Sequence, residues 1–313
     1  MSDILPAHFC SAYISKTETD AVCLALASQG KEPLFCDAAP GLRGFGEGKS
    51  YLHQEAEVLL YGKTLPAWFQ HSGTCIGQGN GRGLEDANNS ALAFGGALGK
   101  PTRIAYEPMY ALSRTQIGRG SLGTGDGSCG AWMAQTVHDL GILPRGVYGT
   151  IDLSEPQERL AVQWGMPRAT TPQQLKDVMR NYPSAACMKA TSVEDVRDAL
   201  IARYGVARCD AKATHGTRDA NGMLRPVASG GHCQELCGCF VDIHGDLIFQ
   251  EQQSWGPTSG PVGGGTFKLQ DGREIQPREG SCGIRPEDVA GYIRNGEIWI
   301  LAIPKNTFGW EAA

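Results

Sequence analysis

Through the first two thirds of the chain, apolar residues recur at helical spacing, three or four positions apart. Residues 19–28 read as a short helix ending near Gly30, and residues 51–61 as another. Between them Pro33, Pro40 and the glycines from Gly41 to Gly46 mark a loop. The pattern predicts an Ala-rich helix over 84–98, a short one over 108–117, a glycine-rich loop over 118–127 and an amphipathic helix over 129–140, stopped by Gly141 and Pro144. A further helix spans 192–204, with Ser192 as N-cap, Asp195 at the third helical position, Val196, Leu200 and Ile201 as its apolar face, and Gly205 as its stop. The period then changes from helical to strand-like. Residues 233–243, 247–252 and 296–303 predict strands, the first two joined by a His244-Gly245-Asp246 turn. Helices followed by an antiparallel sheet make an α+β fold, with a cleft expected between the halves. Residues 1–60 read as an N-terminal extension and 61–313 as the main domain, starting near Pro66.

Composition narrows this little. The 313 residues carry a net charge of −5 with scattered Lys and Arg, which argues against a dedicated nucleic-acid binder. The apolar runs are far short of a membrane span. No charged-then-apolar leader opens the chain, so a cytoplasmic setting with reduced cysteines is expected. Eleven cysteines leave at least one thiol outside any disulfide.

The chemistry sits in two distant stretches. The first is Gln70-His71-Ser72-Gly73-Thr74-Cys75, and the second runs from Gly231-His232 to Gln253-Ser254-Trp255-Gly256. They supply an amide, a thiol, an imidazole and a second amide. A thiol needs a neighbouring base to become a nucleophile, the base needs a partner to fix its ring, and the attacked carbonyl needs a donor for its oxyanion. Cys129, after Gly127-Ser128 and before a helix, is the competing nucleophile, but Asp126 beside it opposes a thiolate.

Other motifs carry less. His232 with Cys233, Cys237 and Cys239 invites a zinc reading, but the spacing is not a paired CxxC, and strand alternation puts the three cysteines on one face and His232 on the other. No metal or organic cofactor is expected. Gly118-Arg119-Gly120-Ser121-Leu122-Gly123 lacks the strand a dinucleotide loop requires, and Gly46-Glu47-Gly48-Lys49-Ser50 lacks the first glycine of a P-loop. Asn88-Asn89-Ser90 is a glycosylation sequon with no secretion signal to use it.

From Trp68 to Ile303 four blocks, in order, resemble the papain-type cysteine peptidases (family C1). Gln70 and Cys75 resemble the Gln…Cys segment, one residue closer together than usual. Residues 111–118 resemble the Leu-Ser-Glu-Gln segment. Asp126-Gly127-Ser128 resembles Asn-Gly-Gly, followed by a helix. His232 leading to Gln253-Ser254-Trp255-Gly256 resembles His…Asn-Ser-Trp-Gly. The wording is closer to divergent phage and bacterial members than to lysosomal ones. The resemblance implies Cys75 as nucleophile, His232 as base, Gln253 as its orienter and Gln70 as oxyanion donor with the Cys75 N–H. It also implies Gly127 and Ser128 along the substrate backbone, and Trp255 shielding the His232–Gln253 contact. The partner it implies is a protein or peptide substrate.

The chain departs from that pattern at several points. Gln253 replaces Asn, Ile76 replaces Trp, Ser72 and Gly125 replace a half-cystine pair, and Gly77, Gly79, Gly81 and Gly83 interrupt the helix expected from Cys75. The reading is a peptidase acting on peptide or isopeptide bonds through a thioester, with residues 1–60 as a possible cleft cover. Two other classes stay open: a degenerate binding or assembly module, and a cysteine-dependent acyl transferase or amidase.

Overall fold

The computed structural model describes residues 33–97, 99–182 and 187–303. The helix expected over 19–28 lies outside them. Eight helices of seven or more residues are labelled here: α1 (Gln54–Tyr61), α2 (Cys75–Phe94), α3 (Tyr106–Leu112), α4 (Gly130–Leu140), α5 (Glu158–Trp164), α6 (Gln173–Met179), α7 (Val193–Ile201) and α8 (Pro286–Asn295). The main sheet comprises β1 (Tyr51–Leu52), β2 (Cys187–Lys189), β3 (Gly205–Ala213), β4 (Val227–Val241), β5 (Leu247–Gln252), β6 (Ser281–Ile284) and β7 (Glu297–Leu301). Strand order is β6-β5-β4-β3-β7-β2, with β1 added to the far half of β4. All these pairings are antiparallel.

Period-two alternation along the strands divides the core. Cys187, Ala207, Cys209, Cys233, Trp299 and Leu301 face the helical half with α2, α3 and α4. Met188, Val206, Leu236, Ile298 and Ile300 face α7 and α8. The α+β layout read from the sequence is therefore the observed one. Residues 51–61 differ from the single helix expected: Tyr51 and Leu52 pair with Cys239 and Gly238, and only then does α1 begin. The capping box of α7 forms as expected, with Asp195 N–H donating to Ser192 Oγ at 3.0 Å.

Alternation on β4 fails as a guide to its cysteines. The register shifts between Leu236 and Gly238, a bulge that reverses which residues point to which face. Cys233 packs with the helical half, while Cys239 lies in the α7 layer. The three cysteines do not share a face.

The largest departure from expectation is α2. Its four glycines do not break it; it runs unbroken from Cys75 to Phe94. Glycine is required there because the helix is squeezed from two sides. A Cβ on Gly77 would meet Tyr106 at 3.0 Å and one on Gly81 would meet Trp68 at 3.0 Å. On the other face a Cβ on Gly79 would meet Cys233 Sγ at 3.0 Å, and one on Gly83 would meet Leu301 at 3.1 Å. The two pairs are spaced i, i+4, so each lines one face. Propensity opposes this helix by roughly 1 kcal/mol per glycine, and burial of its length overrides it. Asn88 is buried in the same helix, so the sequon is inaccessible.

Beneath α2 lies a buried charge cluster. Arg82 pairs with Glu57 and with Glu85 (2.9 Å), and Arg278 pairs with Glu57 (3.0 Å), Asp86 (3.0 Å) and Glu235. Arg103 closes the outer side on Glu85 at 2.9 Å. Four carboxylates face three guanidiniums, and burial pushes the Glu235 carboxyl well above the usual range, with Arg278 opposing that shift. Glu57 lies in the predicted N-terminal region, which this cluster ties to the sheet.

Two stability measurements check these arguments. Gly79→Ala is expected to lose about 1–3 kcal/mol despite its better helix propensity, whereas Gly291→Ala on open α8, with nothing within 4 Å, gains about 0.5–1 kcal/mol in urea unfolding. Arg278→Met strands buried carboxylates and is expected to cost about 3–5 kcal/mol; an unchanged urea midpoint would contradict the cluster's role.

Candidate active site

Cys75 is the first residue of α2, where backbone N–H groups point toward the helix start and favour an anion. One turn further on, the same face reaches Gly79, packed on Cys233, the residue after His232. Gly83, another turn along, lies against Val206 N, near the level where Val206 pairs with Leu236. The helix thus runs along the sheet with its N-terminus at the His232 end. Cys75 also acts electrostatically on Cys209, which is paired in register with Cys233.

The loop before Cys75 is held from outside. Glu158, opening α5, accepts from His71 N (2.7 Å), Ser72 N (3.0 Å), Ser72 Oγ (2.9 Å) and Thr74 Oγ1 (2.6 Å). Asp126 accepts from Gly73 N at 3.2 Å. Nothing in the local sequence marks Glu158, because its partners lie more than eighty residues earlier.

Two amides are oriented by the segment Gln253-Ser254-Trp255. Gln70 N–H donates to Ser254 O at 2.8 Å, and Ser254 Oγ donates to Gln70 Oε1 at 2.5 Å. That fixes the Gln70 amide, whose Nε2 faces the nucleophile loop and donates to Ser72 O at 3.2 Å. Gln253 Nε2 donates to Thr214 O (2.7 Å) and Oγ1 (3.1 Å), which leaves Gln253 Oε1 to accept from His232 Nε2 at 2.7 Å. His232 therefore carries its proton on Nε2. Its Nδ1 is a buried lone pair with no partner among the described residues, suited to take a proton from a thiol.

Trp255 stacks on the His232 ring, centroids 4.4 Å apart and planes 21° from parallel. Phe69 bridges to Trp255, and its ring would meet a Cβ on Gly256 at 2.5 Å. Gly256 also has φ +70°, so the glycine after Trp255 is demanded twice over.

Of the expected residues, the structure joins His232, Gln253 and Trp255 by direct contacts, ties Gln70 to the intervening Ser254 and puts Cys75 on the adjoining helix start. Gly127 and Ser128 face inward. Gly127 N–H donates to Tyr110 OH at 3.2 Å, its carbonyl accepts from Arg114, and Ser128 Oγ meets Ser113 Oγ at 2.9 Å. Both are buried with their polar groups turned inward, because the buried Arg114 guanidinium folds the 123–127 carbonyls around itself. Cys129 caps α4 beside Glu297, whose carboxylate accepts Gly130 N–H at 3.1 Å. Glu297 pairs with Cys209, which pairs with Cys233, so this carboxylate stands two strands from β4, about 10 Å. The P-loop-like turn is occupied by the protein itself: Gly44 and Gly46 N–H donate to Asp198 at 2.7 and 2.9 Å.

The site is closed, with Cys75 3% and His232 1% exposed. Burial first, and then Arg208, push the imidazole from 6.5 down to about 3, against the raising effect of Gln253. The ring is therefore neutral at pH 7.

No protein-family model matches the sequence, and no curated protein matches it. Among solved structures, xylellain, a cysteine protease from Xylella fastidiosa, aligns with TM-score 0.50 at 13% identity over 77% of this chain and 83% of that one. The procathepsin B S9 of Trypanosoma congolense aligns at 0.46 and 12% identity over 82% and 77%, and procathepsin L 3 of Tenebrio molitor at 0.44 and 14% over 94% and 95%. The chain has the papain-like α+β fold.

A histidine held neutral by folding binds fewer protons than its unfolded counterpart below pH 6.5. Its contribution is complete above that pH and is lost as pH falls toward 3. Unfolding free energy is expected to drop on going from pH 7.5 to 5, by up to about 1.4 kcal/mol per unit for each such residue. His53 is lowered by burial too and acts in the same direction. His232→Asn should flatten the slope by one proton's worth; an unchanged slope in urea titrations refutes the neutral-ring assignment.

Proposed function

We propose that this chain is a cysteine peptidase of the papain type, hydrolysing peptide or isopeptide bonds through a thioester on Cys75. The observation that carries the reading is the His232–Gln253 bond under Trp255, which leaves Nδ1 as the basic nitrogen. His232 Nδ1 takes the Cys75 proton, and the sulfur attacks the carbonyl carbon. The oxyanion is met by the second N–H of the Gln70 amide and by the Cys75 backbone N–H at the helix start. The imidazolium then gives its proton to the leaving amine. Water, deprotonated by His232, releases the acid and restores the thiol. The resemblance of the motif wording to phage and bacterial members supports a divergent enzyme of that kind.

The burial of Cys75 and His232 favours a second reading, a papain-like binding module whose site is closed to substrate. One experiment separates the two. The full chain is incubated with a fluorogenic peptide library, and its Cys75 peptide is examined by mass spectrometry after treatment with iodoacetamide. The peptidase reading expects turnover abolished by Cys75→Ser and reduced about 10²- to 10³-fold by Gln70→Ala. Turnover that survives Cys75→Ser removes the assigned nucleophile. No turnover with an unlabelled Cys75 favours the binding module.

A further inference from the structure

Behind Gln253 the structure continues into a chain of groups that the sequence reading left unassigned. Thr214 follows β3 and is fully buried. Its hydroxyl donates to Glu251 Oε1 at 2.7 Å. That carboxylate also accepts from Gln234 Nε2 at 2.6 Å, and its other oxygen accepts from Arg208 Nε at 3.0 Å and Nη2 at 2.9 Å. Arg208 in turn donates to the Lys212 carbonyl at 2.5 Å and stacks 4.0 Å over Tyr292.

We propose that Thr214 is a positioning residue for this site, and that Glu251, acting through it, sets the tautomer and polarity of His232. The inference rests on the peptidase reading for its catalytic meaning. A hydroxyl has one proton, and an ionised carboxylate can only accept. The Thr214 proton therefore goes to Glu251, and its lone pairs accept from Gln253 Nε2 at 3.1 Å and Gln234 Nε2 at 3.4 Å. The amide presents Nε2–H to both the Thr214 carbonyl (2.7 Å) and its hydroxyl (3.1 Å) and turns Oε1 to His232, so the ring protonates Nε2 and keeps Nδ1 as the free lone pair. Each bond in such a series polarises the next, so negative charge at Glu251 strengthens the acceptor that steadies an imidazolium. Glu251 also neutralises Arg208, whose uncompensated charge would oppose that imidazolium. The one Gln253 amide spans from His232 to Thr214.

Other charged or titratable groups border this relay. They are Asp210 and Lys212 on β3, Cys282 on β6, and Asp288 and Tyr292 on α8. Cys282 also lies within reach of the Thr214 hydroxyl, whose 2.7 Å bond goes to Glu251 Oε1.

The test uses the full chain with ¹⁵N-labelled histidine, reading the His232 ring nitrogens by NMR. In parallel, Cys75 alkylation by iodoacetamide is followed from pH 5 to 9, with near-UV circular dichroism confirming the fold of each variant. Wild type is expected to show a single Nε2–H tautomer. Thr214→Val, which leaves the backbone carbonyl in place, should loosen the amide's hold on the ring enough to mix the tautomers and slow alkylation about 10- to 100-fold, the range seen when outer partners of metal-bound histidines are lost. Thr214→Ser, which keeps the hydroxyl, should restore the single tautomer and most of the rate. If Thr214→Val does not fold, Thr214→Ala gives the same reading. A tautomer unchanged by losing the hydroxyl overturns the relay, whatever Cys75 does. An inert Cys75 beside a wild-type tautomer that Thr214→Val loosens sinks the peptidase reading and leaves the relay standing.

Discussion

Everything at the site hangs on how closely α2 is clamped between the two halves of the molecule. Tyr106, Tyr110 and Trp68 press on Gly77 and Gly81, while Cys233 and Leu301 press on Gly79 and Gly83. A helix with ordinary side chains would stand further from the sheet by the thickness of a methyl group or more. The start of α2 would then withdraw from β4, and Cys75 from the strand that carries His232. Four residues that weaken a helix locally are thus what let this one reach both surfaces at once.

The same compression explains the charge beneath it. A glycine-faced helix has little apolar surface of its own, and its middle carries Arg82, Glu85 and Asp86, which find partners in Glu57, Arg103 and Arg278. Buried ion pairs of this kind add little net stability over apolar packing, but they penalise any arrangement that separates them. Here they join α1, α2, β4 and the segment before β6, so they fix how the halves register against each other. The site inherits that register.

Three consecutive residues then divide the work at the surface between the halves. Gln253 orients the imidazole, Ser254 orients the Gln70 amide, and Trp255 covers the ring. Both amides are held with their donors and acceptors the right way round, one by the carbonyl and hydroxyl of Thr214 and the other by the Ser254 hydroxyl. The outer carboxylates Glu158 and Glu251 anchor the nucleophile loop and the orienting relay respectively. The site is therefore two preorganised halves brought together, with charge at the periphery and neutral hydrogen bonds at the centre.

The sequence by itself determined the α+β order, the α7 capping box and strand β5 to the residue, and it singled out Gln70, His232 and Gln253. These follow from local periodicity and from residue types whose chemistry is specific. Tertiary structure decided the rest. An unbroken α2 contradicts helix propensity because long-range packing outweighs a few kcal/mol of local preference. The bulge between Leu236 and Gly238 moved Cys239 to the opposite face, which no alternation rule foresees. Gly127 and Ser128 turned inward because Arg114, buried by the fold, took the loop's carbonyls. Glu158, Thr214 and Glu251 were invisible in the sequence because their partners are close only in space, and hydrogen bonds across 37 to 87 residues leave no local pattern.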